Sequence, residues 1–149
     1  MRILIDGDAC PVVDSIIRLT SETGIFVYLF RTYDHFSVQS FPEHVEVKYV
    51  DGGRDAVDFM ILQYAQPDDI VVTQDYDLAS LLLNKVKYVL HHTGHLYTLE
   101  NIERLLTQRY YHQQERRKSK RYPKGPKAFN QDQRLSFESQ LLKLIETQQ

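Results

Sequence analysis

The sequence predicts a three-layer α/β fold, with a mainly parallel central sheet of about five strands and helices on both faces. Short apolar runs alternate with segments of helical period, which is the element order of such folds. Acidic residues follow several of these runs, at the point where parallel strands would end along one edge of the sheet. The length of 149 residues, 42% of them hydrophobic, predicts a single domain over residues 1–149.

The first part of the chain is predicted to hold three strands and two helices. Pro11 indicates the start of the first helix, because proline loses no needed hydrogen bond at the first helical position, and Gly24 suits its end. Residues 31–44 have no clear period and are predicted to form a loop on the ligand edge. The strands are RILI, IFVYLF and VEVKYV, and the helices lie at about 12–23 and 55–65.

The second part continues with the strands IVVT and KYVL, each followed by a helical segment, DLASLLLNK and LENIERLLTQRYY. A basic loop or arm is then predicted at about 112–130, because Pro123, Gly125 and Pro126 do not allow a regular helix throughout. Asp132 is predicted to cap a C-terminal helix at about 132–147 that packs back on the body.

The net charge of −2 conceals a strong separation of charge along the chain. Residues 1–115 carry nine basic and 17 acidic side chains, a net charge of −8. Residues 116–127 carry seven basic side chains and no acidic ones. An acidic body with one concentrated basic segment is typical of proteins that bind an anionic polymer or an acidic partner.

Several classes of protein are disfavoured by composition. No apolar run approaches the roughly 20 residues of a membrane span, and the N-terminus becomes acidic at Asp6, so no membrane association and a cytoplasmic location are expected. A single cysteine, Cys10, excludes an internal disulfide and a multi-cysteine zinc site. Its position before a helix would allow a low-pKa thiolate. A phosphatase loop, however, would need arginine where Ile16 stands, so a partly buried structural cysteine is favoured.

Aspartates at the predicted strand ends are the main functional signal. Several ionised carboxylates within a few ångströms of each other are unfavourable unless a cation neutralises them or some stay protonated. Ligand sets made only of oxygen suit Mg²⁺ or Mn²⁺. The acidic residues concerned are Asp6 and Asp8 after the first strand, Asp51, Asp55 and Asp58 after the third, and Asp75 and Asp77 after the fourth.

Each of these groups presents a choice between ligand and helix cap. Asp6 is the better ligand of the first pair, with Asp8 as the cap of the first helix. Asp75 is the better ligand after the fourth strand, with Asp77 as a cap or a group outside the direct ligands. Asp58 lies in an otherwise apolar helical turn and is less easily explained as a solvated charge.

Five segments of the chain resemble successive motifs of the YaiI/YqxD family of uncharacterised bacterial proteins, and the resemblance covers nearly the whole chain. That family is regarded as having a fold like the PIN nucleases, whose acidic residues at strand ends hold Mg²⁺ or Mn²⁺ and cut RNA. By position, the resemblance implies that Asp6, Asp58 and Asp75 are catalytic metal ligands, with Asp8, Asp55 and Asp77 close by. The segments are IDGDACPV, GGRDAVDFMI, TQDYDLASLL, HHTG followed by YTLENI, and KGPKAF.

The leading hypothesis is therefore a nuclease that uses divalent metal ions, with RNA favoured by the resemblance. Cations held by Asp6, Asp58 and Asp75 would orient and ionise a water and stabilise the charge that grows on the phosphate. Other polar residues could contact phosphate or position water, although a structural or solvent role suits each of them equally: Arg54, Thr73, Gln74 and the loop that begins at Arg31.

A second hypothesis is a haloacid-dehalogenase-type phosphatase, because the D-x-D start also resembles the opening of those enzymes. Asp6 would be the nucleophile, forming an aspartyl-phosphate, and Asp8 the general acid. Cys10 stands where threonine or valine is expected in that pattern, and no clear lysine motif completes it.

A non-catalytic nucleic-acid-binding module is the third hypothesis. Basic side chains supply affinity for phosphates without regard to sequence, and neighbouring tyrosines could stack on bases. The basic segment could equally be a solvated loop, or neutralise the acidic body of a second copy in a homo-oligomer. The residues are Arg116, Arg117, Lys118, Lys120, Arg121, Lys124 and Lys127, with Tyr110, Tyr111 and Tyr122.

Two adjacent histidines, His91 and His92, follow the fifth strand and face the ligand edge in this interpretation. One of them could carry a proton or bind phosphate. Because neighbours on a strand alternate in direction, they are predicted to point to opposite sides. A zinc site based on histidine would need a third well-spaced partner, which the sequence does not offer.

Overall fold

The computed structural model of the protein describes residues 1–53, 55–119 and 128–147, which form five strands and five α-helices. All predicted strands and helices are present, with differences at their ends. The strands are β1 (Arg2–Asp6), β2 (Phe26–Thr32), β3 (Val45–Val50), β4 (Ile70–Val72) and β5 (Tyr88–Leu90). The helices are α1 (Val13–Thr20), α2 (Ala56–Tyr64), α3 (Tyr76–Leu82), α4 (Leu99–Ser119) and α5 (Gln131–Glu146), with a short 3-10 helix at Tyr33–His35.

The strands form one parallel sheet in the order β3-β2-β1-β4-β5. β1 lies at its centre, where Ile3 is in register with Val27 of β2 and with Ile70 of β4. Because all four strand pairs are parallel, the carboxyl ends of the strands share one edge. The predicted α/β fold with a parallel sheet of five strands is therefore confirmed.

Each face of the sheet carries a separate apolar core. Ile3 and Ile5 of β1 lie in the core beneath α1 and α5, and Leu4 lies in the core beneath α2, α3 and α4. This alternation follows the two-residue period of a strand, and burial on both faces explains why the strand sequences are continuously apolar. Helices on both faces complete the three-layer arrangement expected for a PIN-like fold.

The start and end of the first helix differ from prediction. α1 begins at Val13, two residues after Pro11, and no side chain caps its N-terminus. It ends at Thr20, whose hydroxyl donates a hydrogen bond to the Ile16 carbonyl oxygen at 2.7 Å. The chain then turns, and Gly24 has a positive φ of 80°.

α4 is longer than predicted. The sequence indicated an arm from about His112, but the helix continues to Ser119. Residues 99–119 contain neither glycine nor proline and are rich in Glu, Gln and Arg, which are good helix formers. The helix breakers that suggested the arm, Pro123, Gly125 and Pro126, lie outside the described residues. Among the described helices, none is both long enough and apolar enough to cross a membrane.

The predicted cap of α5 was wrong by two residues. Asn130 is the N-cap, and its side-chain oxygen accepts a hydrogen bond from the Gln133 amide at 2.9 Å. The Gln133 side chain accepts one in return from the Asn130 amide at 3.2 Å, which completes a capping box. Asp132 lies in the first helical turn instead, where its charge suits the helix dipole.

α5 packs on the body, as predicted. Phe137 and Leu141 are fully buried in the core that includes α1. At the edge of this contact, Glu138 accepts hydrogen bonds from the Arg18 guanidinium at 2.6 Å and from the Ser15 hydroxyl at 3.1 Å. Leu135, an apolar residue of the same helix, is 54% exposed.

Gly7 allows β1 and β2 to approach closely where β1 ends. A Cβ atom at Gly7 would lie 2.5 Å from Leu29 Cδ1 and 2.7 Å from the Phe30 carbonyl oxygen. The Gly7 amide donates a hydrogen bond to that same oxygen at 2.9 Å. Glycine is therefore needed between Asp6 and Asp8 because of this close contact.

Candidate functional site

An open pocket of about 420 Å³ lies at the carboxyl edge of the sheet. It is lined by acidic side chains that come from three distant segments of the chain, as the strand-end pattern predicted. The lining includes Asp6, Asp8, Asp55, Asp58, Asp75 and Asp77, together with Gln74 and Arg109. The six aspartates singled out by the family resemblance therefore share one surface, which we call the acidic pocket. Asp51, the seventh aspartate noted in the sequence, is exposed just after β3 and is not part of this lining.

Thr73 connects the two acidic residues at the centre of the pocket. Its side chain is buried, and its hydroxyl donates a hydrogen bond to Asp6 Oδ2 at 2.8 Å. The same hydroxyl oxygen accepts a hydrogen bond from the Asp75 amide at 3.0 Å. The Thr73 carbonyl oxygen in turn accepts one from the Tyr97 hydroxyl at 3.2 Å. Thr73 thus fixes the end of β1 against the end of β4, which is a structural role.

Asp75 is the N-cap of α3, whereas the sequence favoured Asp77 as the cap or as a group outside the direct ligands. Asp75 Oδ1 accepts hydrogen bonds from the amides of Asp77 at 2.9 Å and Leu78 at 3.2 Å. The backbone of Asp75 is extended, as an N-cap requires, since the residue lies in the short connection between β4 and α3. Asp77 is already in the first helical turn, and its exposed carboxylate pairs with Arg109 at 2.9 Å.

Asp8 does not cap α1, contrary to prediction. Its Oδ1 atom accepts a hydrogen bond from the Thr32 amide at 2.9 Å and lies 3.1 Å from His35 Nδ1. The end of β2 offers this unpaired amide close to Asp8, whereas α1 begins only at Val13. Asp8 therefore ties the first loop to the segment that follows β2.

Asp55 and Asp58 occupy the beginning of α2, one helical turn apart. Asp55 is at the N-cap position, but its side chain makes no capping hydrogen bond. The pKa of Asp58 is raised to about 7, chiefly by burial and then by the negative charges of Asp75, Asp6 and Asp55 in that order. Arg54, for which phosphate contact, water positioning and a structural or solvent role all stayed open, lies outside the described residues.

The pKa of Asp6 is also raised, chiefly by burial. The hydrogen bond from Thr73 opposes this shift, while the charges of Asp75 and Asp8 add to it. The pocket therefore carries more negative charge than its own surroundings neutralise, and it holds a proton more readily than isolated aspartates would. A bound cation would relieve the same repulsion.

Asp58→Asn is expected to stabilise the protein near neutral pH. In the folded state the pKa of Asp58 is about 7, above its ordinary value of 3.8. The folded state therefore binds the proton more tightly than the unfolded state does. As the pH rises from about 4 to about 7 the proton is lost, and Asp58 destabilises the fold progressively. Because Asp58 is only half-buried, solvent screening limits the expected gain at pH 8 to about 1 kcal/mol.

Urea unfolding of the wild type and Asp58→Asn at pH 4 and pH 8 measures this effect. Asp68→Asn controls for the loss of one negative charge, since Asp68 is exposed before β4, at the opposite edge of the sheet. An equal gain in the two variants, or a gain that persists at pH 4, would contradict the assignment to Asp58.

The donor set of the acidic pocket fits hard divalent cations in its chemistry. All candidate ligands are carboxylates, the preferred donors for Mg²⁺ and Mn²⁺. As the side chains stand, no group of three or more His, Cys, Asp or Glu residues within the described ranges is arranged to hold a metal ion. The metal-ligand roles of Asp6, Asp58 and Asp75 therefore stay predictions.

His91 and His92 lie beside each other, and the prediction that they point to opposite sides was wrong. Their ring centroids are 4.2 Å apart, because both residues follow the last residue of β5 and strand alternation no longer applies. Burial lowers the pKa of His91 to about 4 and also lowers that of His92. His91 Nδ1 lies 2.8 Å from the Thr93 hydroxyl.

Cys10 is a structural residue. Burial raises the pKa of its thiol to about 11, so the low-pKa thiolate considered from the sequence is contradicted. Its side chain packs against the core that contains α1.

Arg109 is the site residue that the sequence analysis missed. It lies within α4, far along the chain from any strand end, and reaches the acidic pocket because α4 packs beside α3. No local pattern distinguishes it from the other arginines of that helix. It is the single basic side chain in the described lining of the pocket.

The loop after β2 lies on the ligand edge, as predicted, although Arg31 and Thr32 still belong to the strand. Arg31, His35 and the exposed Phe36 line a second open pocket, which shares Asp8 with the acidic pocket. The Phe36 ring also packs against that of Tyr49, at a centroid distance of 5.1 Å.

The predicted nucleic-acid-binding residues are described only in part. Arg116 and Arg117 are exposed on α4, and so are Tyr110 and Tyr111, whose ring centroids are 5.9 Å apart. The prediction stays open for the other basic residues and the third tyrosine. Of Lys118 only the backbone is described. The rest lie outside the described residues: Lys120, Arg121, Tyr122, Lys124 and Lys127.

Comparison with known proteins gives a consistent family assignment. The model of the family described as "Uncharacterized BCR, YaiI/YqxD family" matches residues 4–147. UPF0178 protein SH2212 of Staphylococcus haemolyticus (strain JCSC1435) is 56% identical over 92% of this chain and 92% of its own length. UPF0178 protein SaurJH9_0705 of Staphylococcus aureus (strain JH9) is also 56% identical, over 97% of this chain and 94% of its own length.

No solved structure matches the chain significantly. The match to the family model spans all six aspartates of the acidic pocket, and the relatives match along almost the full chain. The chain therefore belongs to the YaiI/YqxD family of uncharacterised proteins.

Proposed function

We propose that the protein is a nuclease that hydrolyses phosphodiester bonds with the help of a divalent metal ion, with RNA as the favoured substrate. The observation that carries the proposal is the convergence of six aspartates from three segments of the chain in one open pocket. The raised pKa values of Asp6 and Asp58 support it, because burial first and the neighbouring carboxylates second disfavour the charged forms, and a bound cation would offset both effects.

Within this proposal Asp6, Asp58 and Asp75 hold the metal. The ion would supply a Lewis acid for the phosphate and an ionised water as nucleophile. Thr73 keeps the Asp6 and Asp75 segments in fixed relation through its hydrogen bonds. Arg109 brings positive charge to the border of the pocket, where it can contact a phosphate oxygen.

The phosphatase hypothesis receives less support. A general acid at Asp8 would have to protonate the alcohol that leaves the phosphorus atom as Asp6 attacks it, but the Asp8 carboxylate is engaged by the Thr32 amide and lies beside His35. A non-catalytic role in binding nucleic acid is the second candidate, because Arg116, Arg117, Tyr110 and Tyr111 form an exposed basic and aromatic surface on α4.

The test is cleavage of end-labelled single-stranded RNA and DNA of the same sequence by the purified protein, with Mg²⁺, Mn²⁺ or EDTA. We expect RNA cleavage that requires metal. Changing a group that only supports the metal ligands typically lowers activity by roughly 10- to 100-fold. Asp6→Asn changes a proposed direct ligand, so the cleavage rate should fall by more than that. Asparagine has the same shape as aspartate and can still accept the hydrogen bond from Thr73, so the fold should persist.

Asp68→Asn, at the opposite edge of the sheet, is the matched control and should cleave like the wild type. Cleavage that survives in EDTA or in Asp6→Asn would overturn the proposal. Binding of RNA without cleavage under all metal conditions would favour the binding module, and phosphate attached covalently to Asp6 would favour the phosphatase.

A further inference from the structure

A groove between α3 and α4 continues from the acidic pocket. It encloses about 320 Å³ and shares Arg109 with the acidic pocket, so the two form one continuous surface. We call it the α4 groove. Its lining includes Tyr76 from α3 and Leu105, Arg109, His112, Gln113 and Arg116 from α4.

The basic residues of the groove lie on one face of α4. Arg109, His112 and Arg116 are separated by three and four residues, the spacing that places side chains above one another on a helix. From Arg109 to Arg116 this face extends about 10 Å, which corresponds to about three nucleotides at the rise of a stacked strand. The face therefore offers two guanidinium groups with an imidazole between them, over a length that corresponds to a few consecutive phosphates.

Electrostatics gives this row its importance. Residues 1–115 carry a net charge of −8, and the acidic pocket itself repels a polyanion. Arg109 lies where the two surfaces meet and is held there by its 2.9 Å ion pair with Asp77. A phosphate backbone that enters the acidic pocket from the α4 groove meets positive charge first.

Tyr76 adds an aromatic wall to the same groove. Its ring is half-buried and supported by the Tyr97 ring, with a centroid distance of 6.0 Å. A base can stack on such a ring only when it is not paired in a duplex. The combination of a cationic row and an aromatic wall is characteristic of surfaces that bind single strands.

We propose that the α4 groove binds the backbone of single-stranded nucleic acid on one side of the acidic pocket, through Arg109, His112 and Arg116. The proposal rests on the nuclease function for the position of the reacting phosphate. It adds the path by which the substrate reaches that position, and it makes the exposed face of α4 part of the substrate site.

The test is binding of fluorescein-labelled single-stranded RNA, followed by anisotropy in EDTA so that no cleavage is required. The variant Arg109→Gln/Arg116→Gln removes two charges from the groove. Arg104→Gln/Lys143→Gln removes two charges away from the groove, one from another face of α4 and one from α5, where both side chains are also exposed. Thermal unfolding of both proteins checks that the fold is retained.

We expect the groove variant to bind about tenfold more weakly than the wild type. The slope of log affinity against log salt concentration should fall by about 1.4, since each phosphate contact on a single strand contributes about 0.7. The control variant should stay within about twofold of the wild type. A duplex RNA of the same sequence should compete less well than the single strand.

An equal loss in the two variants would overturn the proposal, because affinity would then depend on total charge alone. So would a duplex that competes as well as the single strand. If the groove variant loses binding while the wild type cleaves no substrate with any metal, the groove is supported and the nuclease function fails. If the wild type cleaves but the groove variant binds normally, the nuclease function stands and the groove fails.

Discussion

Asp75→Asn is expected to lose metal-dependent cleavage, by more than about 100-fold, while the protein stays folded. Asp75 caps α3 through Oδ1, and asparagine caps helices as well as aspartate does. The change therefore removes one negative charge from the acidic pocket and keeps the hydrogen bonds to the Asp77 and Leu78 amides. Cleavage rates and urea unfolding of the same preparations measure the two effects separately.

Asp75→Ala provides the comparison that separates capping from chemistry. It removes the cap as well as the charge, so we expect an additional loss of about 1 kcal/mol in the free energy of unfolding. Full activity in Asp75→Asn combined with a destabilised Asp75→Ala would mean that Asp75 acts only as a helix cap. The metal site would then have to be built without it.

Phe137→Ala is expected to cause the largest loss of stability, about 3–5 kcal/mol. Phe137 is 0% exposed in the core shared by α1, α5 and the sheet, so its removal leaves a cavity where an aromatic ring was. A loss of this size is a large part of the roughly 5–15 kcal/mol that stabilises an ordinary domain. Urea unfolding followed by circular dichroism gives the value.

Leu135→Ala is the matched control on the same helix. Leu135 is 54% exposed, and its truncation should change the free energy of unfolding by less than about 0.5 kcal/mol. A small effect of Phe137→Ala would mean that α5 contributes little to the stability of the body. Similar effects of the two variants would contradict the burial pattern of α5.

The arrangement of the strands and the position of the acidic residues could be predicted from the sequence. Buried parallel strands leave continuous apolar runs, and a residue that follows such a run must lie on the edge where the strands end. That rule brings Asp6 and Asp75 to one pocket, and Asp58 joins them because α2, the helix after β3, begins at the same edge.

Helix caps could not be predicted in the same way. Asp8 and Asp132 were expected to cap a helix, and Asp77 to be a cap or a group outside the direct ligands; none of the three is a cap. A cap depends on the backbone conformation of the residue and on which amides compete for its side chain. Asp8 is engaged by an amide of β2, and Asp77 and Asp132 are already helical.

Long-range packing accounts for the remaining differences. Arg109 reaches the acidic pocket through the contact of α4 with α3, which leaves no trace in the local sequence. Helix breakers further along the chain suggested that α4 would end near His112. The residues between are good helix formers, however, and the helix extends to Ser119.

The central position of β1 determines when the acidic pocket can exist. Asp6 ends β1, and its neighbour on one side is β4, where Ile70 pairs with Ile3 across 67 positions of the chain. A growing chain that has not yet reached β4 holds Asp6 but lacks Asp75, so the pocket forms only after a contact of long sequence separation has closed. Binding of an ion or polymer in the pocket is consequently linked to the folding of the whole sheet. Such binding will raise the free energy of unfolding of the complete domain, and not only the stability of one local segment.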